Sequence, residues 1–161
     1  MITINLDGWE LPSATLTGLE EAVATYADAG GIINARVVSA AEVRAANREH
    51  ADTDEATDVL AFAYYPDSHD QHAAWEEMQL EDRPLGDILI SQSHIRSQAA
   101  AAGVSEEAEC VLLLTHGVLH VLGFDHQTQL QQQRMDELQR HILEQLGYPY
   151  RRFHWAATNS E

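Results

Sequence analysis

The feature that most constrains this chain of 161 residues is a run of histidines and apolar residues in its last third. His116 and His120 are four residues apart, so on a helix their side chains lie one turn apart on one face and can bind one metal ion. Gly123 can take a positive φ, which would end the helix and return His126 towards it as a third ligand. Three imidazoles leave one coordination position open, as in catalytic zinc sites, so we expect one zinc ion per chain here.

Alternatives to this metal site remain open. A buried helix whose histidines hydrogen-bond to one another or to the backbone would carry the same spacing. Asp125 favours the metal, because a carboxylate beside a ligand can accept a ring N–H, although aspartate also caps turns. His69 and His72 have a metal-ligand spacing as well, but they lie in an acidic stretch without a third partner, and we interpret them as solvated.

The histidine spacing is also that of the extended zincin protease motif, in which a glutamate follows the first histidine. Gly117 occupies that position in this chain. The glutamate is the general base of peptide hydrolysis, so its absence argues against a protease. A phosphodiester fits the site better, because a metal can itself stabilise the leaving alkoxide and the charge of the pentacovalent state.

The segment from His116 to His126 resembles the H-G-x-L-H-L-x-G-Y-D-H signature of the YbeY family, bacterial endoribonucleases that mature ribosomal RNA. Two earlier segments agree with that family. The run Thr57–Phe62 resembles its T-D-V-L-S-F strand, and the run Leu85–Ile88 resembles its L-G-D-I strand. With the similar ending at residues 146–150, the resemblance covers roughly residues 47–150.

The resemblance implies a zinc-dependent endoribonuclease, specific for single-stranded RNA, that acts in ribosomal RNA maturation and ribosome quality control. Its partners would be ribosomal RNA and small ribosomal subunit particles, with no DNA. The sequence has no run of 18 apolar residues and no charged-then-apolar leader, so we expect no membrane partner and a location in the cytoplasm. The family's arginine, thought to act on the scissile phosphate, has no counterpart, because Ala51 stands at its position. Arg48, three residues earlier, either reaches the same space or faces solvent. Catalytic residues other than the metal ligands therefore stay unknown.

Two other functions remain open. One is a zincin-like metallohydrolase of another bond, and the other is a noncatalytic ribosome-assembly factor with a structural zinc. The net charge of −17 favours the assembly factor, because nucleic-acid affinity comes mainly from basic residues that neutralise phosphates. An RNA enzyme with this charge needs a local patch of arginines or a substrate presented by a ribosomal particle.

Length and hydrophobic content predict a single domain over residues 1–161. We expect an α+β fold in which a small mixed sheet of about four strands packs against about five helices, with a zincin-like metal helix. Strands are predicted at residues 2–6, 32–38, 58–64 and 85–90, and the last three helices at 93–102, 105–122 and 129–146. Capping boxes at Thr17, Ser39 and Thr128 predict helix starts. Residues 66–84 are expected to form a long connection with a short helical piece at 73–78.

Three further features have competing interpretations. The lone Cys110 lies in an apolar segment and is interpreted as core packing. Met135 belongs to an apolar stripe and packs in the core, or, as the resemblance suggests, lies under the zinc. The segment Tyr148–Trp155 interleaves aromatic and basic residues, so it either docks on the domain or stacks on RNA bases.

Overall fold

The structure, a computed structural model, describes residues 1–27, 30–50, 59–64, 83–124 and 127–150, and of His50 only the backbone. These residues form four strands and five helices, which confirms the mixed α+β fold with the expected number of elements. In chain order they are β1 (Ile2–Asp7), α1 (Ser13–Ala24), β2 (Gly31–Val38), α2 (Ala40–His50), β3 (Val59–Ala63), β4 (Pro84–Ser91), α3 (Gln92–Ala102), α4 (Glu106–Val121) and α5 (Gln129–Leu146). The expected short helix at 73–78 lies outside the described residues.

The four strands form one sheet in the order β1-β2-β4-β3. β2 is parallel to both β1 and β4, whereas β3 is antiparallel to β4. Successive side chains of a strand point to opposite faces. On one face Ile33 of β2, Ile88 of β4 and Ala61 of β3 belong to the hydrophobic core that α4 covers. The sheet therefore holds α4 against its central and last strands.

α4 is the most deeply buried helix that the structure describes, with residues 108–119 and Val121 all buried. Its sequence is apolar on nearly every face, which is the pattern of a helix surrounded by protein. Ser105 caps its first turn, because the side-chain oxygen accepts a hydrogen bond from the Ala108 N–H at 3.0 Å. Side chains carried by α4 are consequently held on a rigid support.

Glycines let α4 and β4 approach each other closely. A Cβ on Gly117 of the helix would lie 2.8 Å from Cγ2 of Ile88, and one on Gly86 of the strand would lie 2.9 Å from Cγ1 of Val121. Both distances are shorter than real Cβ contacts. The two elements thus interlock, with each glycine accommodating an apolar side chain of the other element.

Two of the three predicted capping boxes mark helix starts. Ser39 Oγ accepts from the Glu42 N–H at 3.2 Å, and α2 begins at the next residue. Thr128 Oγ1 accepts from the Gln131 N–H at 3.1 Å, while the Gln131 side chain bonds back to the Thr128 N–H. At both positions the hydrogen bonds of the capping box, which join residues close in sequence, mark the start of the helix.

The capping box predicted at Thr17 is wrong, because α1 begins at Ser13. Pro12 precedes the helix with φ −56°, and its carbonyl accepts the first helical N–H groups. Proline is favourable at such a start, since its φ is already close to helical and no N–H is lost. Glu20 instead accepts a hydrogen bond from the Ile4 N–H at 2.8 Å, which ties α1 to β1.

Cys110 and Met135 are both completely buried in the main hydrophobic core, so the interpretation of each as core packing is confirmed. Burial, with Glu109 and Glu107 adding negative charge nearby, raises the pKa of the Cys110 thiol from 9.0 to about 12. The thiol therefore stays protonated at neutral pH and is a poor nucleophile. No described helix is both long and apolar enough to cross a membrane.

Candidate metal centre

The predicted histidine pair lies at the end of α4. His116 is buried, with 3% of its surface exposed, and His120, one turn later, is partly exposed. Their ring centroids are 4.8 Å apart and the ring planes make an angle of 80°. The helix therefore brings the two imidazoles together at the surface end of a buried element, where they can share one ion.

The buried imidazole is oriented by α5. His116 Nδ1 lies 2.7 Å from Oε1 of Gln139. A carboxamide oxygen can only accept a hydrogen bond, so Nδ1 carries the proton and donates it. The lone pair of this neutral ring is then on Nε2, which is the nitrogen that can act as a metal ligand.

Gln139 was missed by the sequence reasoning. It is completely buried, on the face of α5 that also carries Met135, Leu138 and Ile142. Its Nε2 has no hydrogen-bond partner among the described residues. The signal available in the sequence was a single amide inside an apolar stripe, since buried polar side chains are ordinarily there to satisfy a buried partner.

The turn predicted after the helix is confirmed. Gly123 has φ +105°, a conformation that glycine adopts without strain, and its N–H donates to the His120 carbonyl at 3.0 Å. The chain leaves α4 at this point. Asp125 and His126 follow directly, but they lie outside the described residues, so the third ligand stays a prediction. Among the described residues there is no cluster of three candidate ligands.

The residues that are described fit zinc. Zinc takes neutral imidazole nitrogens, and its histidine ligands typically donate the other ring N–H to a carbonyl or carboxylate. His116 has that arrangement with Gln139. A ligand held by a second residue loses little freedom on binding, so the site is partly organised by the fold itself.

The absence of the protease glutamate has a structural basis. Gly117 faces Ile88, which is completely buried, and a Cβ at this position would already lie 2.8 Å from the isoleucine side chain. A glutamate would have to displace the core of the sheet. The geometry thus strengthens the case against peptide hydrolysis by a base at this position.

Arg48 is the described candidate for the role of the family arginine. Arg48 is exposed on α2, whereas Ala51 lies outside the described residues. The other predicted histidine pair, His69 and His72, also lies outside them. No residue is therefore assigned as the cation that would neutralise the phosphate.

The first part of the aromatic C-terminal segment docks on the domain. The Tyr148 hydroxyl lies 2.9 Å from Thr15 Oγ1 and donates to Glu107 at 2.7 Å. Burial and the hydrogen bond to Glu107 raise the pKa of Tyr148. Tyr150 donates to Asp136 at 3.1 Å. Docking is confirmed for these two tyrosines, and residues 151–155 lie outside the described part of the chain.

Comparison with known proteins connects this fold to one family. A family model described as Endoribonuclease YbeY matches residues 13–147. Endoribonuclease YbeY of Shouchella clausii is 39% identical over 106 residues, which is 66% of either chain. The protein of the same name from Paraburkholderia phytofirmans is 34% identical over 140 residues, 86% of this chain and 81% of the relative.

The fold is also found in a solved structure. A protein from Thermotoga maritima, studied in solution, superposes with a TM-score of 0.56 at 23% identity, covering 89% of this chain and 88% of that one. That similarity supports the architecture. Because the family model spans most of the sequence, including both histidines of α4 and the strands β3 and β4, the chain belongs to the endoribonuclease YbeY family.

Proposed function

We propose that this chain is a zinc-dependent endoribonuclease that cuts single-stranded RNA in the cytoplasm, during ribosomal RNA maturation and ribosome quality control. Membership of the family supports RNA as the substrate. The observation that carries the metal is the hydrogen bond from His116 Nδ1 to Gln139, because it puts the proton on Nδ1 and the lone pair on Nε2 of a buried histidine one turn from His120.

The proposed zinc is held by His116, His120 and His126. When bound, zinc supplies a Lewis acid that stabilises negative charge developing on a phosphate. The protein contributes orientation: α4 is buried, so its histidines are fixed, and Gln139 keeps the proton on Nδ1 of His116. Gly117 contributes no carboxylate, which leaves the phosphate side of the site free of a fixed negative charge at that position.

The proposed substrate is ribosomal RNA within small-subunit particles. A chain with a net charge of −17 binds free RNA weakly and with strong dependence on salt, because phosphate neutralisation supplies most of the nonspecific affinity. A ribosomal particle can present the cleavage site through contacts that do not depend on that charge. We therefore expect faster cutting of RNA in particles than of the same RNA alone.

The test combines metal content with RNA cleavage. Purified wild-type protein, His120→Ala and His141→Ala are measured by mass spectrometry for zinc and assayed on a structured ribosomal RNA fragment. His141 is a suitable control because it is exposed on α5 and contacts only the edge of Tyr26 among described aromatic rings, at 6.4 Å. Wild type and His141→Ala should hold about one zinc per chain and cut, whereas His120→Ala should lose both properties.

Other outcomes would overturn parts of the proposal. Cutting that persists in His120→Ala after the zinc is lost would assign the activity to another site or a contaminant. Zinc-loaded protein that binds particles stably but cuts no RNA would favour an assembly factor with a structural zinc. Turnover of a generic peptide library without RNA cleavage would favour a zincin-like hydrolase of another bond.

A further inference from the structure

The face of the sheet opposite α4 carries a cavity of about 430 Å³, within the size range of small-molecule sites. Gly86 and Ile88 of β4 face α4, as their contacts with Val121 and Gly117 show. Because successive side chains of a strand point to opposite faces, Asp87 and Leu89 lie on the other face of the sheet. The cavity lies there, between β2, β3, β4 and Ala46 of α2.

Strand register assembles one row of polar and aromatic groups along the floor of this cavity. Asp87 of β4 is paired with Asn34 of β2 on one side and with Phe62 of β3 on the other. Directly paired residues on neighbouring strands present their side chains on the same face. A carboxamide, a carboxylate and a phenyl ring thus line the cavity in that order across three strands.

Hydrogen bonds within the cavity wall determine which atoms of Asp87 and Asn34 can accept or donate a hydrogen bond to a ligand. The Tyr64 hydroxyl donates to Asp87 Oδ2 at 2.5 Å, which orients the carboxylate and leaves its other oxygen to accept. The Asn34 Oδ1 accepts from the Asn5 side chain at 3.1 Å, which directs the Asn34 NH₂ group to donate elsewhere. The cavity therefore offers an acceptor with negative charge beside a neutral donor.

We propose that this cavity binds the guanine base of an unpaired RNA nucleotide. The inference rests on the proposed function for its substrate class, and it adds a recognition subsite on the far side of the sheet from the metal helix. Bases splayed out of single-stranded RNA are typically bound by stacking on aromatic side chains and by hydrogen bonds to their Watson–Crick edge. Phe62 supplies the ring, and Asp87 and Asn34 supply the polar contacts.

Guanine complements the row better than the other bases do. Its N1–H and N2–H₂ are adjacent donors that the two oxygens of Asp87 can accept together, because Oδ2 keeps a second lone pair beside its bond from Tyr64. Its O6 is the acceptor that the Asn34 NH₂ requires. Adenine and cytosine offer the carboxylate one amino group, and uracil offers one imino N–H between two oxygens. One additional hydrogen bond to a charged group corresponds to a preference of at least about tenfold for guanine.

A cation also lines the cavity. This cation is Arg36, which lies two residues after Asn34 on β2 and is paired with Leu89. Its guanidinium lies 4.0 Å from the Glu42 carboxylate. Both side chains of that ion pair are more than half exposed, so the attraction between them is weak. The arginine can turn to a phosphate at little cost, which would offset part of the repulsion between RNA and the acidic protein.

The test is a binding titration with the four ribonucleoside 5′-monophosphates and with the oligoribonucleotides UUGUU and UUUUU, followed by calorimetry. Wild-type protein should bind guanosine monophosphate at least about tenfold more tightly than the other three. UUGUU should bind more tightly than UUUUU by a similar factor. Asp87→Asn, which keeps the size of the side chain, should abolish both preferences, and Phe62→Leu should weaken all ligands.

Asp136→Asn is the matched control. Asp136 also accepts a hydrogen bond from a tyrosine hydroxyl, that of Tyr150 at 3.1 Å, but it lies on α5, away from the sheet. This variant should keep the guanine preference. Circular dichroism on all variants separates a lost site from a lost fold.

Equal affinity for all four monophosphates, or a preference that survives Asp87→Asn, would overturn the subsite. Binding of guanosine monophosphate without a preference for UUGUU would show a free-nucleotide site, which also contradicts the RNA subsite. His120→Ala separates this inference from the proposed function, because base binding should survive in that variant. Guanine preference in a protein that never cuts RNA would support the subsite and reject the nuclease, and cutting without guanine preference would do the reverse.

Discussion

The two faces of β4 differ in how completely the fold covers them. On the face towards α4, Ile88 is completely buried and interlocked with Gly117. On the opposite face, Asp87 and Leu89 are only partly buried and line an open cavity. One strand of eight residues thus supports a tightly packed core on one side and leaves polar groups accessible on the other.

This difference separates two requirements of a site. Holding a metal requires ligands that do not move, and the packed side provides a buried helix with its histidine oriented by Gln139. Admitting a base requires an open cavity lined by polar and aromatic side chains, and the other side provides one. Stability and access are therefore divided between the faces, and the following substitutions test the division.

The largest effect is expected from truncating a side chain on the face of β4 that packs against α4. Ile88→Ala should lower the free energy of unfolding by about 2–5 kcal/mol, because it leaves a cavity between α4 and the sheet. Leu89→Ala, one residue further along the same strand, should cost less than half as much, since its side chain is partly exposed. Urea unfolding of both variants measures the contrast. Equal losses would mean that the two faces contribute equally to stability.

The next effect concerns the metal. Gln139→Leu should weaken zinc binding by about 10–100-fold, because partners of ligand histidines typically contribute that much affinity. Gln139→Glu, which keeps an acceptor for His116 Nδ1, should retain most of the affinity. Competition with a chromophoric chelator gives the dissociation constants. Gln133→Leu, on the exposed side of the same helix, is the control, and unchanged affinity in Gln139→Leu would remove Gln139 from the metal centre.

A smaller effect is expected from filling the contact between α4 and β4. Gly117→Ala should destabilise the protein by about 1–2 kcal/mol, because overpacking outweighs the gain in helix propensity. Gly18→Ala is the comparison, since its added methyl would meet only the end of the Leu146 side chain, at 2.7 Å. That variant should be close to neutral in thermal unfolding. A stabilised Gly117→Ala would show that the interlock is loose.

The smallest effect is a pH dependence on the packed side. Burial raises the pKa of Cys110 from 9.0 to about 12, so the folded state holds the thiol proton more tightly than the unfolded state. The contribution of the protonated Cys110 thiol to the free energy of unfolding is therefore fully present below pH 9 and is lost as the pH rises from 9 towards 12. Between pH 8 and pH 10 the loss should be about 1.4 kcal/mol. Cys110→Ala should lack this component, and identical urea midpoints against pH would contradict it.

Local patterns predicted much of the fold. The apolar run of α4 and the capping boxes at Ser39 and Thr128 each depend on residues close in sequence, and all were found. The pairing of His116 with His120 follows from helical spacing alone. The predicted start of α1 at Thr17 was wrong. Thr17 and Glu20 have the sequence pattern of a capping box, but the helix already begins after Pro12.

Contacts between distant segments could not be predicted in this way. Gln139 reaches His116 from a different helix, 23 residues later, and only the packing of α5 on α4 decides that its amide meets the imidazole. The row of Asn34, Asp87 and Phe62 depends on strand order and register. An antiparallel β3 beside β4 places these residues on one face, and no periodicity within a single strand contains that information.

The contact between Gly117 and Ile88 has an evolutionary consequence. A protein with zincin spacing stands one substitution from the protease motif on paper, yet here Gly117→Glu alone would push a charged side chain into the sheet, and trimming Ile88 alone would open a void. Either single step costs stability before any new activity could compensate. A stepwise change from this motif to the protease motif therefore passes through proteins of lower stability.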